Sequence, residues 1–252
     1  MKRVNVAGWL FVVLLTLLVE AGVRAFDYEH SVATPSSTLR ALVDELWSGS
    51  LSGELGDTLS AYFQGLALAI LIGVGAGLLI GASRTLLDAT SVVIEFLRPI
   101  PGIALIPLAI LAFGLGVPTV RFVVAYAAAW PILFNTLYGV RGVDRMLHDV
   151  ARTSGVGRTG RLFRVTLPAA LPSIATGIRV SVAIALLVCV TAEFFTTGGV
   201  GAYMERQQIA NQLPEMYAAV VLVGLIGYLV NVGLRVLQRR TLFWSGEERS
   251  AR

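Results

Sequence analysis

The amino-acid sequence predicts an all-α membrane protein with about six transmembrane helices. Of its 252 residues, 56% are hydrophobic and only 14% are charged, and the mean hydropathy is +0.75. Charged residues usually supply about a quarter of a soluble domain. Several stretches of this chain contain almost none over the roughly 20 residues that a bilayer crossing requires. The same composition excludes a disordered chain and a soluble coiled coil.

Uncharged stretches locate the crossings. The fifth is the least clean, because Arg179 lies near its start and Glu193 near its end, where both charges can reach the head groups. The predicted spans cover residues 4–19, 58–83, 99–120, 122–140, 173–195 and 216–234.

The first span admits a second interpretation. Lys2 and Arg3, an apolar stretch and the small residue Ala25 resemble a secretory signal peptide, whose cleavage would leave a chain starting at Phe26. The uncharged stretch is longer than a usual signal core, which favours a retained helix.

The loop after the first span predicts a second helix. Apolar residues recur at helical spacing from about Pro35 to Trp47. This amphipathic helix is expected either on the outer membrane surface or packed on the bundle.

Few residues could support catalysis or metal binding. Cys189 is the only cysteine and cannot form an internal disulfide, and His30 and His148 are too few for a histidine-rich metal site. Both histidines fall in predicted extramembrane segments, so neither can be the base of an intramembrane serine protease. The acidic residues near the spans are isolated from one another, which disfavours a metal-dependent lipid enzyme. We therefore expect no catalytic, cofactor or metal site.

Basic residues are distributed unequally along the chain. The net charge of +4 and the pI of about 9.6 could by themselves indicate nucleic-acid binding. With a cytoplasmic amino terminus, however, the inner segments hold nearly all of the Lys and Arg residues, which is the positive-inside distribution of a membrane protein. This predicts both termini in the cytoplasm and disfavours nucleic acid. The outer segments hold only Arg24, Arg40, Arg121 and Arg206.

The second span carries a small residue at every fourth position. Such a ridge lets another helix backbone approach closely, so packing is a more probable role for it than ligand binding. The ridge consists of Gly65, Ala69, Gly73, Gly77 and Gly81.

Prolines interrupt the third span at Pro99, Pro101 and Pro107. A broken helix leaves carbonyl groups that only protein or a water-lined cavity can satisfy inside a membrane. The break therefore indicates either a gated pathway or a packed kink.

Several side chains inside the spans are candidates to line a pathway. Tyr126 and Trp130 share one helix face. Asn135 and Asn231 are expected to form interhelical hydrogen bonds or to line a cavity, with packing the more common of the two roles. Glu193 marks either a pathway or the interfacial end of its helix.

Residues 141–172, between the fourth and fifth spans, form a long arginine-rich loop. Its apolar residues fall on one face of a short predicted helix that ends at Gly155 in the left-handed conformation. The residues of this face are Val143, Leu147, Val150 and Ser154.

A second helical piece is predicted from about Arg158 to Val165, ended by Pro168, with Pro172 starting the return to the membrane. Helices this short are not stable alone, so the apolar face requires a partner. That partner is either another protein or the inner leaflet.

This loop resembles the signature loop of bacterial ABC importer permeases. Asp149-Val150-Ala151, Gly155 and Val165-Thr166-Leu167-Pro168 match the spacing Glu-Ala-Ala, three residues, Gly, nine residues, Ile, any residue, Leu-Pro. The three departures, at Asp149, Val150 and Val165, conserve charge or shape.

The resemblance extends over roughly residues 30–244. Leu97-Arg98-Pro99-Ile100-Pro101, Phe113-Gly114-Leu115-Gly116 and Gly177-Ile178-Arg179 resemble the nitrate, sulfonate and taurine branch of that family.

The resemblance implies a type I ABC importer permease architecture with a cytoplasmic coupling helix. It implies import of a small oxyanion-bearing solute, by a non-catalytic subunit working with a second permease copy, two cytoplasmic ATPase subunits and an external substrate-binding protein. ATP and Mg would be bound by the ATPase, and this sequence contains no Gly-rich phosphate-binding loop. The residues implied in ATPase coupling are Asp149, Val150, Ala151, Arg152, Gly155, Val165, Leu167 and Pro168.

The domain organisation follows from the same resemblance. Residues 1–57 hold the first crossing and the outer loop helix. Residues 58–244 form the core permease domain with five crossings and the coupling loop 141–172, and residues 245–252 form a cytoplasmic tail.

The main alternative is a secondary transporter that works without ATP. Such a protein usually has internal repeats or ionisable residues near the bilayer centre, and neither is evident here. Arg98 and Arg179 are expected near the inner boundary, so no arginine cluster predicts an anion site. Substrate specificity is then expected to lie mainly in the external binding protein.

Overall fold

The structure is a computed structural model that describes residues 6–25 and 32–241, and this part of the chain is helical without β-strands. The predicted tail 245–252 and the cleavage position at Phe26 lie outside the described residues. The α-helices are α1 (Val6–Ala25), α2 (Pro35–Ser48), α3 (Ser50–Ala82), α4 (Arg84–Leu97), α5 (Ile106–Phe113), α6 (Val117–Arg141), α7 (Arg145–Thr153), α8 (Arg158–Arg161), α9 (Leu167–Glu193), α10 (Val200–Ile209) and α11 (Leu213–Thr241).

Four helical segments of the described chain are long and apolar enough to cross a membrane. A fifth crossing is counted if the bent pair of α4 and Gly102–Phe113 forms one broken span. The first predicted crossing corresponds to α1, which is not among these segments, so its insertion stays a prediction. The four segments are Ser50–Ala82, Val117–Arg141, Arg158–Glu193 and Leu213–Gln238.

The predicted break in the third crossing is confirmed, but the predicted bounds, residues 99–120, are wrong: the broken pair spans Arg84 to Phe113, and residues 117–120 belong to α6. After α4 the chain bends by 81°, forms a 3₁₀ turn at Gly102–Leu105 and continues as α5. The prolines of this stretch cannot donate the N–H groups that a continuous helix needs. Gly114 and Gly116 then adopt φ values of 78° and 103°, which ends α5 before α6 begins.

The predicted ridge of small residues is confirmed as the contact between α3 and α6. A Cβ atom at Gly65 would lie 2.6 Å from Val124 Cγ1, and one at Gly77 would lie 2.6 Å from Thr136 Cβ. Only glycine permits this approach. Since the later glycine contacts the later residue of α6, the two helices run parallel. The bent α4–α5 segment connects the end of α3 to the start of α6.

The helix α9 packs antiparallel to α6. A Cβ atom at Gly139 would lie 2.8 Å from Ser173 Cβ, whereas one at Gly177 would lie 2.8 Å from Asn135 Cβ. Ser181 Oγ donates a hydrogen bond to Ala128 O at 2.7 Å. The helices α3, α6 and α9 therefore build the main core, and α11 lies against the outside of α9.

The predicted amphipathic helix forms as α2. Thr34 Oγ1 accepts a hydrogen bond from Ser37 N at 3.3 Å, and Gly49 ends the helix with a φ of 84°. One face packs on α11, with Ala41 buried, while Trp47 is 92% exposed. The alternative in which this helix packs on the bundle is therefore confirmed, whereas its position on the outer membrane surface stays a prediction.

The prediction that Pro168 ends the second helical piece is wrong. The chain stays helical from Arg158 to Glu193, with a π-helical turn at Leu162–Thr166. Leu167 N donates to Leu162 O five residues earlier. The wider turn relieves the missing N–H and the steric crowding of Pro168, so the helix continues through it.

Candidate functional site

The loop between α6 and α9 carries the short helix that the sequence predicts. Asp144 caps α7, since its Oδ1 accepts a hydrogen bond from Met146 N at 2.9 Å. Gly155 follows the helix with a φ of 76°, which confirms its predicted left-handed conformation. Val156 N donates to Ala151 O at 2.9 Å and closes the turn onto the helix.

The helix α7 turns large apolar side chains away from the protein. Met146 is 68% exposed, Leu147 49% and Val150 58%, and these three residues are called the exposed α7 face below. Leu147 and Val150 belong to the predicted face. Val143 was also predicted on this face, but it is not part of the helix, because Asp144 is the N-cap and Val143 precedes it.

The other predicted coupling residues of α7 divide between two sides. Asp149 and Arg152 are exposed beside the exposed α7 face. Ala151 is only 7% exposed and lies inside the loop. A partner could therefore contact Asp149 and Arg152 directly, whereas Ala151 acts on the shape of the loop.

Val165, Leu167 and Pro168 are not part of this exposed surface. All three are half-buried in the helix that leads into the membrane. Leu167 packs against the cluster that contains Val140 of α6 and Ile174 of α9. The second half of the signature, from Val165 to Pro168, therefore attaches the loop to the spans. The first half, from Asp149 to Gly155, carries part of the exposed α7 face.

Glu193 lies at the opposite end of the bundle and is 1% exposed. Its Oε2 accepts hydrogen bonds from Thr58 Oγ1 at 3.0 Å and from Gly201 N at 2.9 Å. Thr58 Oγ1 accepts another from Val200 N at 2.8 Å. Glu193 therefore joins α9 to α3 and α10 and is enclosed by protein, and its role in a pathway stays a prediction.

A polar cavity of about 650 Å³ opens at the same end and was not foreseen from the sequence. It is lined by Glu54, Asp57, Glu205 and Arg206 among others. Glu54 forms a salt bridge with Arg206 and accepts a hydrogen bond from Gly199 N at 2.7 Å. These contacts hold the turn between α9 and α10 against the start of α3.

Tyr126 and Trp130 share a face of α6, as predicted, with ring centroids 5.8 Å apart. Phe134 and Tyr138 extend this aromatic row along the helix. Tyr126 Oη donates to Leu97 O at 2.7 Å, which satisfies a carbonyl group at the end of α4. The aromatic row therefore supports the broken crossing.

An apolar crevice of about 440 Å³ lies beside this row, between α3, α6 and the α4–α5 segment. Tyr126 and Trp130 both line it. Trp130 Nε1 is buried without a hydrogen-bond partner in the part of the chain that the structure describes. The two residues therefore line the same cavity, and its role in a pathway stays a prediction.

Asn135 was expected to form an interhelical hydrogen bond or to line a cavity, and the predicted interhelical hydrogen bond is wrong. Asn135 Nδ2 donates to Pro131 O at 2.8 Å within α6 rather than to another helix. It still lies at the α6–α9 contact, where Gly177 approaches it. Asn231 is exposed on α11 and lines neither the polar cavity nor the apolar crevice.

The sequence was compared with known families and proteins. The model of the family described as binding-protein-dependent transport system inner membrane component matches residues 69–242. The bicarbonate transport system permease protein CmpB of Synechococcus elongatus is 34% identical over 72% of this chain and 66% of its own length. The nitrate import permease protein NrtB of Leptolyngbya laminosa is 31% identical over 75% and 70%. The taurine transport system permease protein TauC of Escherichia coli is 32% identical over 77% and 70%.

The fold also matches a solved structure, the MetNI methionine ABC transporter in an inward-facing conformation. The TM-score is 0.67 at 20% sequence identity, and the match covers 75% of this chain and 95% of that chain. This likeness establishes the type I importer permease fold that the signature loop implied. Because the family model spans most of the chain and the relatives align over most of it, the chain belongs to the family of binding-protein-dependent transport system inner membrane components.

Proposed function

We propose that this chain is the permease subunit of an ATP-driven importer and forms the translocation pathway for a small oxyanion. The relatives named above act in transport of bicarbonate, nitrate and taurine. These solutes share a compact group that carries negative charge on oxygen. A related oxyanion is therefore the proposed cargo.

The observation that carries this proposal is the exposed α7 face. Three large apolar side chains on a nine-residue helix have no partner in the described chain, and so short a helix is not stable by itself. An apolar groove on an ATPase subunit would cover Met146, Leu147 and Val150. Asp149 and Arg152 beside them would add charged contacts.

The proposed assembly has two copies of this permease and two ATPase subunits, which bind ATP and Mg. An external binding protein delivers the solute at the opposite end of the bundle, near Glu193. Both termini and the loop 141–172 lie on the cytoplasmic side. Closure of the ATPases moves α7, and the loop transmits this movement to α6 and α9. These helices then open the pathway alternately to one side of the membrane and to the other.

The test is to purify the permease together with the ATPase that binds it and an external binding protein, in proteoliposomes. Nitrate, bicarbonate, taurine and methanesulfonate are then compared as stimulants of ATP hydrolysis, with a neutral sugar as the control. We expect one oxyanion to stimulate hydrolysis and to be imported only with ATP. Import driven by an ion gradient without ATPase would contradict the proposal and support the secondary transporter instead.

A further inference from the structure

The apolar crevice beside the aromatic row runs lengthwise along α6. The α6 residues that line it recur at every third or fourth position from Pro118 to Leu133, which places them on one face of the helix. From Arg121 to Leu133 the helix rises by about 18 Å. Half of the hydrocarbon thickness of a bilayer is about 15 Å. The crevice therefore has nearly the length of the hydrocarbon layer of one leaflet.

The walls of the crevice are almost entirely apolar. Leu68 and Ile72 of α3 form one wall, and Leu97 and Phe113 of the α4–α5 segment form another. Cavities with such walls stay free of water and accept apolar molecules. Ile72 is 53% exposed and Phe113 is 50% exposed, so the crevice opens on the surface of the described chain. Hydrocarbon from the surrounding bilayer can therefore enter it.

Arg121 is the only charged residue among the described residues that line the crevice. It lies four residues after the start of α6 at Val117, at the end of the helix away from α7. Its Nη1 donates to Gln64 Oε1 of α3 at 3.0 Å, and in the described ranges no salt bridge joins it to a carboxylate.

This contact orients the Arg121 guanidinium without neutralising it. A guanidinium has five N–H donors in a planar fork that fits the oxygens of a phosphate, and Gln64 accepts from one of its nitrogens. Arginine side chains near the end of a membrane helix also reach the head groups easily. The crevice thus combines a long apolar groove with one anion-binding side chain close to the end of its helix.

We propose that this crevice binds one acyl chain of an anionic phospholipid whose phosphate contacts Arg121. The groove matches a chain that extends through one leaflet, whereas a compact oxyanion would leave most of the apolar walls uncovered. The single positive charge favours a lipid with a net negative charge over a zwitterionic one. The proposal goes beyond the importer function and assigns Tyr126 and Trp130 to contact with lipid.

Trp130 provides a direct measurement, because it lines the crevice and the chain has only four tryptophans. Phenylalanine replaces the other three, Trp9, Trp47 and Trp244, in the full chain. The protein is reconstituted in phosphatidylcholine vesicles with increasing fractions of phosphatidylglycerol whose acyl chains carry bromine, which quenches tryptophan fluorescence on contact. Brominated phosphatidylcholine in the same amounts is the reference.

We expect brominated phosphatidylglycerol to quench Trp130 at an about fivefold lower fraction than brominated phosphatidylcholine. This is the preference that one arginine near the membrane surface gives for an anionic lipid. A chain that keeps Trp47 as its single tryptophan should show no such preference, because Trp47 does not line the crevice. Equal quenching of Trp130 by the two lipids would overturn the proposal.

Variants of Arg121 test the contact with the phosphate. We expect R121Q to lose the preference and R121K to keep most of it. R179Q is the matched control, because Arg179 Nε also donates to a glutamine, Gln238, at 2.9 Å, yet Arg179 lines neither cavity. Loss of the preference in R179Q as well would mean that the overall charge of the protein attracts the lipid, and the proposal would be wrong.

The variant Q64E keeps a partner for Arg121 and supplies the same test if R121Q does not fold. The new carboxylate neutralises the guanidinium where it stands. We expect Q64E to keep the melting temperature of the parent chain and to lose the preference for phosphatidylglycerol. An unchanged preference in Q64E would contradict the role of Arg121.

The variant A129F tests the position of the acyl chain. Ala129 lines the crevice between the levels of Arg121 and Leu133, so a phenyl ring there would fill part of the groove. We expect the quenching of Trp130 by both brominated lipids to decrease. Undiminished quenching in A129F would show that the chain lies outside the crevice.

Two other occupants give different results. A second permease copy that covers the crevice would shield Trp130 from both brominated lipids. A solute site would show no preference for phosphatidylglycerol, while methanesulfonate or hexanesulfonate would raise the melting temperature of the lipid-free protein through Arg121. Either result would refute the lipid site, and neither would affect the importer function, which ATP-driven uptake of an oxyanion tests separately.

Discussion

Gly155 and Glu193 illustrate how single residues define the two ends of this permease. Gly155 has a φ of 76°, a conformation that side chains with a branched β-carbon rarely adopt. Glu193 is a fully enclosed carboxylate whose hydrogen bonds reach two other helices. Each residue therefore has a role that a substitution can isolate.

Replacing Gly155 by valine should prevent the turn that follows α7. We expect Gly155→Val to lose its bound ATPase on purification, or to hydrolyse ATP without uptake. Gly157→Val is the matched control, because Gly157 has a φ of −63° and open space around its Cβ position. Normal ATP-driven uptake by Gly155→Val would contradict the role given to this turn.

Replacing Glu193 by alanine should lower the free energy of unfolding. Gly201 N would lose its acceptor in a buried place, at a cost of about 1 to 3 kcal/mol, and Thr58 Oγ1 would keep only the longer hydrogen bond to Glu54 O at 3.3 Å. Glu193→Gln keeps one acceptor oxygen and should lose less. Thermal unfolding in detergent measures this, with Glu205→Ala as the control at the cavity near the same end, and equal melting temperatures for both alanine variants would refute it.

Among the helices, the sequence predicted correctly those features that depend on residues close together in the chain. The spacing of small residues in α3 and the amphipathic pattern of α2 and α7 are local, and the structure confirms them. The prolines predict the break in the third crossing, but the end of that crossing depends on positive φ values at Gly114 and Gly116, which composition does not reveal. The continuation through Pro168 depends on a π-helical turn whose presence has no sequence signature.

For the candidate site too, the sequence predicted the position of the loop but not the contacts that depend on its folding. The signature spacing located the loop 141–172, but the burial of Ala151 and the exposure of Met146 follow from how the loop folds back. The contact between Glu193 and Thr58 joins residues 135 positions apart, so no local pattern could have indicated it.

The glycine ridge makes its own prediction about α3. Gly77→Ala would place a methyl group 2.6 Å from Thr136 Cβ, whereas Gly75 has nothing within 4 Å of its Cβ position. We expect Gly77→Ala to destabilise the protein by about 1 to 3 kcal/mol, as overpacked cores do, and Gly75→Ala to leave it nearly unchanged. Thermal unfolding of both variants checks this, and an equal effect would mean that the ridge is not a tight contact.

For the whole molecule, assembly with the ATPase should depend on the exposed α7 face. We expect the double substitution of Leu147 and Val150 by aspartate to abolish co-purification of the ATPase, because charges would replace apolar contacts. The permease itself should keep its melting temperature, since both side chains are exposed. Thr159→Asp, on an exposed residue of the same loop, is the control. Retention of the ATPase by the double variant would remove the main support for the coupling role.

The antiparallel packing of α6 and α9 gives this permease the mechanics of a stiff lever. The helix α6 has 25 residues and is about 37 Å long, and close contacts at Gly139 and Gly177 resist sliding between it and α9. A force applied at α7 therefore acts on the packed pair of α6 and α9, which we call the paired arm and which bends less than a single helix. The far end of that arm carries the hydrogen bonds of Glu193, so a tilt at the α7 end displaces the turn between α9 and α10 in the same movement.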